Sequence, residues 1–223
     1  MAEAAGVTLY GAPYSVYVRI AMLALAEKGV AYTLEPVDIF TASAETEAYL
    51  ALNPFGKIPT LKHGDFALYE TQAIARYVDE VFDGPALQPA GPKARARMGQ
   101  VMGIVDSFAY RTLVWDVYVA HTARTAGGGA EHGERIEAAL PLATTCLAEF
   151  DRLLGDGPWF GGAQVSLADL HAMPVFGYFR TVPEAETLLS GFPGLQDWWA
   201  NVSARDSWRT VSQFPSRSQQ RQT

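Results

Sequence analysis

Several features are scarce in this 223-residue sequence, and each scarcity argues against a class of protein. With a single cysteine, Cys146, no intrachain disulfide can form, and a reducing compartment is favoured. No apolar run reaches the roughly 18 residues of a membrane-spanning helix. Residues 1–6 contain an acid in place of the basic start of a secretion signal. We therefore expect a soluble, cytoplasmic protein that does not bind a membrane.

Basic clusters and metal-ligand spacings are also missing. The sequence has no run of Lys or Arg and carries a formal net charge of −7, which argues against nucleic acid as a partner. No pair among the His, Cys, Asp and Glu residues has the spacing of a metal site, so no metal is expected. The three glycines at 127–129 have no strand before them and no lysine after them, which excludes a phosphate-binding loop.

Apolar residues are plentiful, at 49%, and they suffice for a sizeable core in one large domain or two small ones. In the first part of the chain, short apolar strands alternate with helices. The predicted strands are 7–10, 32–37, 60–61 and 66–69, and the predicted helices are 15–28, 45–52 and one that starts at Glu70. This is the thioredoxin-like order, with parallel pairing in its first half and an antiparallel final hairpin.

The character of the sequence changes after Phe82. Gly and Pro are frequent in 83–92, which predicts a linker. Beyond it no convincing alternating strand appears, and the apolar spacing predicts long helices at 93–122 and 136–154, with Pro141 near the start of the second. We therefore predict an α+β protein of two domains, a thioredoxin-like α/β domain at 1–82 and an all-α helical bundle at 93–223.

Ser166 and Asp169 mark the start of a further helix. A serine followed three residues later by an acid, just before an apolar run, is a capping box. A carboxylate at this position is favoured both by capping and by the helix dipole. Asp169 is therefore predicted to cap the helix and not to catalyse, and His171 is predicted to be packed inside.

The most informative stretch is NPFGKIPTLKHGDFALYETQAIARY, at 53–77. Its NPFG segment supplies turn residues, and His63-Gly64-Asp65 suits the turn of a hairpin. At Glu70-Thr71 the chain passes from a strand to a helix. Such a junction leaves free backbone N–H groups at the positive end of the helix dipole, where a carboxylate is held well.

Together with SLADLH at 166–171, this stretch resembles the glutathione transferase family, and it is closest to the phi class or to bacterial proteins that share part of the phi pattern. The resemblance covers nearly the whole chain and implies that glutathione is the co-substrate. It implies that Pro59 follows a cis peptide bond and that Ile58 offers its backbone to the cysteinyl part of glutathione. Glu70 would then meet the γ-glutamyl ammonium, and Thr71 the γ-glutamyl carboxylate.

One loop departs from the phi pattern. Phi-type proteins usually carry a histidine in the loop after the second strand, where it helps to hold the glycyl end of glutathione. Here residues 40–45 read FTASAE. The resemblance then leaves Lys57 as the candidate that takes over the glycyl carboxylate.

Ser15, counted back from the end of the first predicted helix, falls where serine-type family members keep the hydroxyl that faces the glutathione sulfur. The alternative interpretation of Ser15 is a helix N-cap, a position that serine favours. Tyr14 and Tyr17 are rival activators, because tyrosine-type members use a phenol, although their tyrosine lies where this chain has Tyr10. No cysteine is near, which excludes dithiol exchange.

The electrophile is expected to bind between the two domains, where clefts commonly form. The candidate lining residues are aromatic: Tyr14 and Phe40 from the first domain, and Tyr110, Trp115 and Tyr118 from the long helix. The implied activity is attack of the glutathione thiolate on an apolar electrophile. A glutathione-dependent peroxidase, dehalogenase or isomerase stays open, as does a non-catalytic binding or scaffold protein. The family also implies a homodimer, with Phe55 and the third and fourth helices as contacts.

Overall fold

The computed structural model describes residues 6–214, so residues 1–5 and 215–223 of the predicted domains lie outside the described chain. The described residues form two compact units. The first contains the residues up to Ala86 together with those from Asp206 onward, and the second is Leu87–Arg205. The first unit is a sheet with helices and the second is entirely helical apart from turns, which confirms the predicted α+β architecture.

The sheet of the first unit has four strands in the order β2-β1-β3-β4. They are β1 (Val7–Gly11), β2 (Thr33–Pro36), β3 (Thr60–His63) and β4 (Phe66–Tyr69). β1 pairs with β2 in parallel and with β3 antiparallel, and β3 and β4 form the predicted antiparallel hairpin. β1, at the centre of the strand order, is buried at alternate positions, as expected for a strand whose two faces differ in exposure.

The register of this sheet brings four chain segments to one edge. Gly11 at the end of β1 pairs with Pro36 at the end of β2, while Tyr10 pairs with Thr60 at the start of β3. Thr60 in turn pairs with Tyr69 at the end of β4. The turn after β1, the loop after β2, the segment before β3 and the segment after β4 therefore all lie at this edge, which we call the carboxyl edge after the ends of β1 and β2.

Three helices accompany the sheet: α1 (Val16–Glu27), the short α2 (Glu47–Leu50) and α3 (Thr71–Val81). The predicted helix at 45–52 is split, because a separate 3₁₀ turn occupies Ala42–Glu45 and Thr46 then caps α2. At the end of α1, the buried Lys28 Nζ lies 3.2 Å from the Asp79 carboxylate of α3 and donates to the Pro85 carbonyl. This contact ties both helices to the segment that leaves the first unit.

The last helix, α10 (Asp206–Ser212), also belongs to the first unit, although the sequence assigned it to the second. It packs against α1, and Ser207 Oγ donates a hydrogen bond to Glu27. Arg19 of α1, only 6% exposed, donates from one nitrogen to the Pro13 carbonyl and from another to the Phe214 carbonyl, at 2.8 and 2.7 Å. The bonds of Ser207 and Phe214 join residues 180 and 195 positions apart, which is why the local pattern did not show them.

The second unit is built from helices α4 to α9. They are α4 (Pro92–Ile104), α5 (Ala120–Thr125), α6 (Glu131–Leu154), α7 (Leu167–Phe179), α8 (Pro183–Leu189) and α9 (Pro193–Ser203). α4 and α5 are joined without a break by a π-helical segment, Val105–Val119, where one long α-helix at 93–122 was expected. α6 begins five residues earlier than predicted, so Pro141 lies inside it and not near its start.

No helix within residues 6–214 is long and apolar enough to cross a membrane.

α7 is almost completely buried, and Asp169 in its first turn connects three parts of the second unit. The predicted capping box with Ser166 is present, which confirms the capping role. The carboxylate, 0% exposed, also accepts hydrogen bonds from the Phe160 backbone and from Trp198 Nε1 of α9, at 2.8 and 2.9 Å. Burial raises the pKa of Asp169, and the donated hydrogen bonds lower it. His171 is fully buried, as predicted.

We predict that Asp169→Ala lowers the free energy of unfolding by about 3 to 5 kcal/mol, because it leaves several buried donors without an acceptor. Urea unfolding followed by tryptophan fluorescence measures this change. Asp197→Ala, an exposed position on α9, is the matched control and should change stability by less than about 0.5 kcal/mol. Equal effects of the two substitutions would contradict the assigned role of Asp169.

Candidate active site

Ser15 lies in the turn between β1 and α1, at the carboxyl edge. It is the N-cap of α1, with φ −71° and ψ 130°, and its hydroxyl accepts a long hydrogen bond of 3.5 Å from the Val18 N–H. Within residues 6–214 this is the one hydrogen bond of the Ser15 side chain, and the hydroxyl is the acceptor in it. The half-buried hydroxyl therefore caps the helix and still has its proton available for a ligand.

The residues before Ser15 connect to the loop that follows β2. Tyr14 donates its hydroxyl proton to Asp38 Oδ1 at 2.5 Å, and its ring lies 6.2 Å from the ring of Phe40. Phe40 is 44% exposed, a large fraction for an aromatic side chain. The structure therefore brings both aromatic candidates of the first unit together, and one of them, Tyr14, is the chain neighbour of Ser15.

The segment before β3 is held by side chains that the sequence reasoning missed. The Ile58–Pro59 peptide bond is cis, as the resemblance predicted. The Lys57 carbonyl accepts hydrogen bonds from Tyr49 Oη and Asn53 Nδ2, at 2.5 and 2.8 Å. The sequence signalled Asn53 only as a turn residue and gave no sign that Tyr49 reaches this carbonyl. The two donors brace the backbone next to Ile58, while the Lys57 side chain is exposed to solvent.

Glu70 and Thr71 stand where β4 gives way to α3, as predicted. Glu70 is the N-cap, is exposed, and has φ 71° and ψ 112°, a positive φ that a non-glycine residue adopts at a cost of about 1 to 3 kcal/mol. Its side chain does not cap the helix. Thr71 is buried and begins α3. The carboxylate of Glu70 therefore makes no capping hydrogen bond to α3. The first N–H groups of α3 lie at the carboxyl edge.

The other aromatic candidates lie in the π-helical segment of the second unit. Tyr110, Trp115 and Tyr118 are all half-buried there. Burial raises the pKa of Tyr110 and a hydrogen bond with Trp115 lowers it, while the ring of Tyr118 lies 4.9 Å from that of Tyr178. The sequence predicted these residues on one long α-helix, whereas they lie in a π-helical segment, whose backbone hydrogen bonds join residues five positions apart.

Cys146 and the possible metal ligands show no second reactive centre among the described residues. The Cys146 thiol is buried, and burial raises its pKa to about 11, so little of it is ionised near neutral pH. Within residues 6–214, no group of three or more His, Cys, Asp or Glu side chains is placed to hold a metal ion.

Comparison with known proteins agrees with this geometry. The model of the glutathione S-transferase N-terminal domain matches residues 9–86, and that of the C-terminal domain matches residues 133–200. Glutathione S-transferase F14 of Arabidopsis thaliana is 31% identical over 84% of this chain and 76% of its own length. Its name, like those of other curated relatives, carries the letter of the plant phi class.

Solved structures give the same result. The crystal structure of glutathione transferase F7 from Populus trichocarpa superposes with a TM-score of 0.80 at 26% identity, covering 93% of this chain and 98% of that one. A structure of glutathione S-transferase-I bound with lactoylglutathione has a TM-score of 0.82 at 25% identity, covering 95% of this chain and all of its own. The chain therefore belongs to the glutathione S-transferase family of enzymes, whose fold and activity the sequence predicted.

Proposed function

We propose that this protein transfers the glutathione thiolate to an apolar electrophile, and that the Ser15 hydroxyl activates the thiol. The observation that carries this proposal is the position of Ser15, a helix N-cap at the carboxyl edge whose hydroxyl proton has no acceptor in the described chain. A hydrogen bond from this hydroxyl to sulfur favours the thiolate, which is the nucleophile.

The energy needed is within reach of one serine. A free thiol has a pKa of about 8.5, and lowering it by about 2 units requires about 2.7 kcal/mol. A hydrogen bond to a charged group contributes about 1.5 to 3 kcal/mol, and the positive end of a helix dipole adds about 0.3 to 1 kcal/mol. Ser15 at the start of α1 would supply both contributions.

The hydrogen bonding of Tyr14 supports Ser15 over Tyr14 as the activator. Tyr14 already donates its single hydroxyl proton to Asp38. To donate to a sulfur it would have to give up that bond. Tyr10 lies on β1, and its ring lies 6.2 Å from the ring of Tyr49.

Glutathione itself would lie along the carboxyl edge. We assign the backbone of Ile58 beside cis-Pro59 to the cysteinyl part, Glu70 to the γ-glutamyl ammonium, and Thr71 to the γ-glutamyl carboxylate. Support comes from the braced backbone before Pro59 and from the N–H groups at the start of α3. Lys57, whose side chain is exposed, is assigned to the glycyl carboxylate.

The electrophile would be apolar, and an aromatic one is favoured. Exposed or half-buried aromatic rings support this assignment in both units: Tyr14 and Phe40 in the first, and Tyr110, Trp115 and Tyr118 in the second.

We also propose a cytoplasmic location, which the single, buried cysteine supports.

Substitution of Ser15 tests the activation. We expect Ser15→Ala to raise the pKa of bound glutathione by about 2 units and to lower kcat/KM by about 10- to 100-fold. Absorbance of the thiolate against pH measures the first quantity, and steady-state kinetics the second. Ser15→Thr keeps a hydroxyl and should recover part of the activity.

Ser15→Gly separates activation from capping. Glycine replaces an N-cap at a cost of only a few tenths of a kcal/mol, so α1 keeps most of its stability while the hydroxyl is lost. We expect Ser15→Gly to be as inactive as Ser15→Ala. A wild-type thiol pKa in Ser15→Gly would refute Ser15 as activator. No binding of glutathione to the wild type at millimolar concentration would refute the transferase itself.

Glu70 is predicted to bind glutathione at the expense of stability. Both Glu70→Ala and Glu70→Gly should weaken glutathione binding by about 10-fold or more, because each removes the partner of the ammonium. Glu70→Gly should be about 1 kcal/mol more stable than Glu70→Ala, since glycine adopts a positive φ without strain. Calorimetric titration and thermal unfolding measure the two effects. Glu80→Ala, exposed on the same helix, should leave the affinity unchanged, and equal stability of the two Glu70 variants would contradict the strain.

We further propose a homodimer that uses Phe55. Its side chain is 66% exposed, and its ring lies edge-on to Tyr69 at 5.8 Å. Phe55→Ser should weaken the dimer, because it removes apolar area from the contact. Leu142→Ser, an exposed apolar position on α6, is the control. Sedimentation equilibrium measures the mass, and a monomeric wild type would remove the proposal.

A further inference from the structure

The Asp38 carboxylate joins two segments at the carboxyl edge. Its Oδ1 atom accepts the hydroxyl proton of Tyr14 at 2.5 Å and the backbone N–H of Phe40 at 2.9 Å. Tyr14 immediately precedes Ser15 in the turn before α1, and Phe40 lies in the loop that follows β2. One carboxylate oxygen therefore connects the turn that carries the candidate activator to the loop that carries the exposed ring.

The rest of the loop is folded around the backbone of the same residue. Asp38 N–H donates to Ser43 Oγ at 2.9 Å, and Ser43 Oγ donates back to the Asp38 carbonyl at 3.1 Å. Thr41 Oγ1 also donates to the Asp38 carbonyl, at 3.0 Å. Because these bonds are internal to the loop, they give it shape but do not attach it to α1. The Tyr14 to Asp38 bond and a 3.3 Å backbone bond from Val37 to Gly11 attach the loop to the segment before α1.

The attachment sets the placement of two aromatic rings. The rings of Tyr14 and Phe40 lie 6.2 Å apart and are tilted by 34°, within the range of a favourable aromatic pair. Phe40 is 44% exposed, and its backbone N–H is held by the Asp38 carboxylate. Without the carboxylate, the N–H of Phe40 and the hydroxyl of Tyr14 would lose their shared partner, and the placement of the two rings relative to each other would be less constrained.

We propose that Asp38 is a positioning residue that holds Tyr14 and Phe40 as one aromatic wall beside Ser15, and so sets the preference for planar aromatic electrophiles. The proposal rests on the proposed transferase function. A wall that is ordered before the electrophile arrives avoids the entropy cost of ordering it on binding. Loss of Asp38 should therefore act on the KM of an aromatic electrophile more than on kcat. The hydrogen bonds of Ser15, to Ala12 and from Val18, do not pass through Asp38, so thiol activation should be kept.

The test compares the wild type with Tyr14→Phe, Asp38→Ala and the double variant. For each, kcat and KM are measured for 1-chloro-2,4-dinitrobenzene, a planar aromatic electrophile, and for iodoacetamide, a small one. We expect each single variant to raise the KM of the aromatic electrophile about fivefold, and to lower the ratio of the two kcat/KM values by a similar factor. The double variant should resemble Asp38→Ala alone, because both substitutions remove the same bond.

Two further variants separate positioning from a general structural effect. Asp38→Asn keeps a carbonyl oxygen as acceptor and should restore most of the preference. Tyr77→Phe removes another tyrosine hydroxyl of the first unit, one hydrogen-bonded to His63 at 2.9 Å, and should leave the ratio unchanged. Hydrogen exchange of the amides of 38–46, measured without glutathione, should be several-fold faster in Tyr14→Phe and Asp38→Ala than in the wild type.

The outcomes distinguish this proposal from the transferase function. Additive effects of Tyr14→Phe and Asp38→Ala, an unchanged ratio despite faster exchange, or failure of Asp38→Asn to restore the ratio would each overturn the positioning role. A shift of the bound thiol pKa in Asp38→Ala would also overturn it, because Asp38 would then act through activation. A wild type that neither binds glutathione nor lowers its thiol pKa would instead refute the transferase function, whatever the exchange of the loop shows.

Discussion

The pairing of β1 with a parallel β2 on one side and an antiparallel β3 on the other is the constraint on which the candidate site depends. In a sheet with this mixed pairing, the segments that follow β1 and β2 and the segment that precedes β3 must leave from the same edge. The antiparallel hairpin then returns β4 to that edge as well. A slip of one residue would turn every side chain of a strand to the opposite face, so the buried alternation of β1 also fixes where each loop emerges.

At this edge several side chains use their hydrogen bonds to fix the conformation of the backbone. Tyr49 and Asn53 hold the carbonyl of Lys57, and Asp38 holds the backbone and neighbours of its loop. None of these side chains was assigned to glutathione, but Tyr49 and Asn53 support the segment proposed to bind its cysteinyl part, and Asp38 supports the loop that carries Phe40. A ligand with a peptide backbone is recognised best by a backbone that already has its final conformation, and these supports provide it. Ser15 and Glu70 are different. Within residues 6–214, the hydroxyl proton of Ser15 has no acceptor and the Glu70 carboxylate makes no capping bond.

Local signals predicted much of this arrangement. The turn residues of NPFG, the hairpin at His63-Gly64-Asp65 and the start of a helix at Thr71 depend on residues close in sequence, and the structure has all three. The resemblance supplied the cis bond before Pro59, which composition alone would not reveal. The roles proposed for Ser15 and for the residues assigned to glutathione depend on the resemblance together with their positions at the carboxyl edge.

Other features depend on contacts distant in sequence or on winding, and the pattern did not show them. The residues of the Tyr14 to Asp38 bond are separated in the chain by a helix and a strand. The positive φ of Glu70 occurs at a residue that is not glycine, so the sequence gives no sign of it. The apolar spacing of 93–122 fits an α-helix well enough to hide a π-helical segment, since both windings bury similar residues over a few turns.

The return of α10 to the first unit has a consequence for the order in which the protein is made. The second unit, Leu87–Arg205, is inserted between two pieces of the first. On the ribosome, the sheet and α1 to α3 emerge long before α10. The hydrogen bond from the buried guanidinium of Arg19 to the Phe214 carbonyl can therefore form only when nearly the whole chain has been synthesised. The helical unit can complete its own core while the unit that carries Ser15 is still unfinished. The turn before α1, which Arg19 holds through Pro13, therefore reaches its final surroundings last.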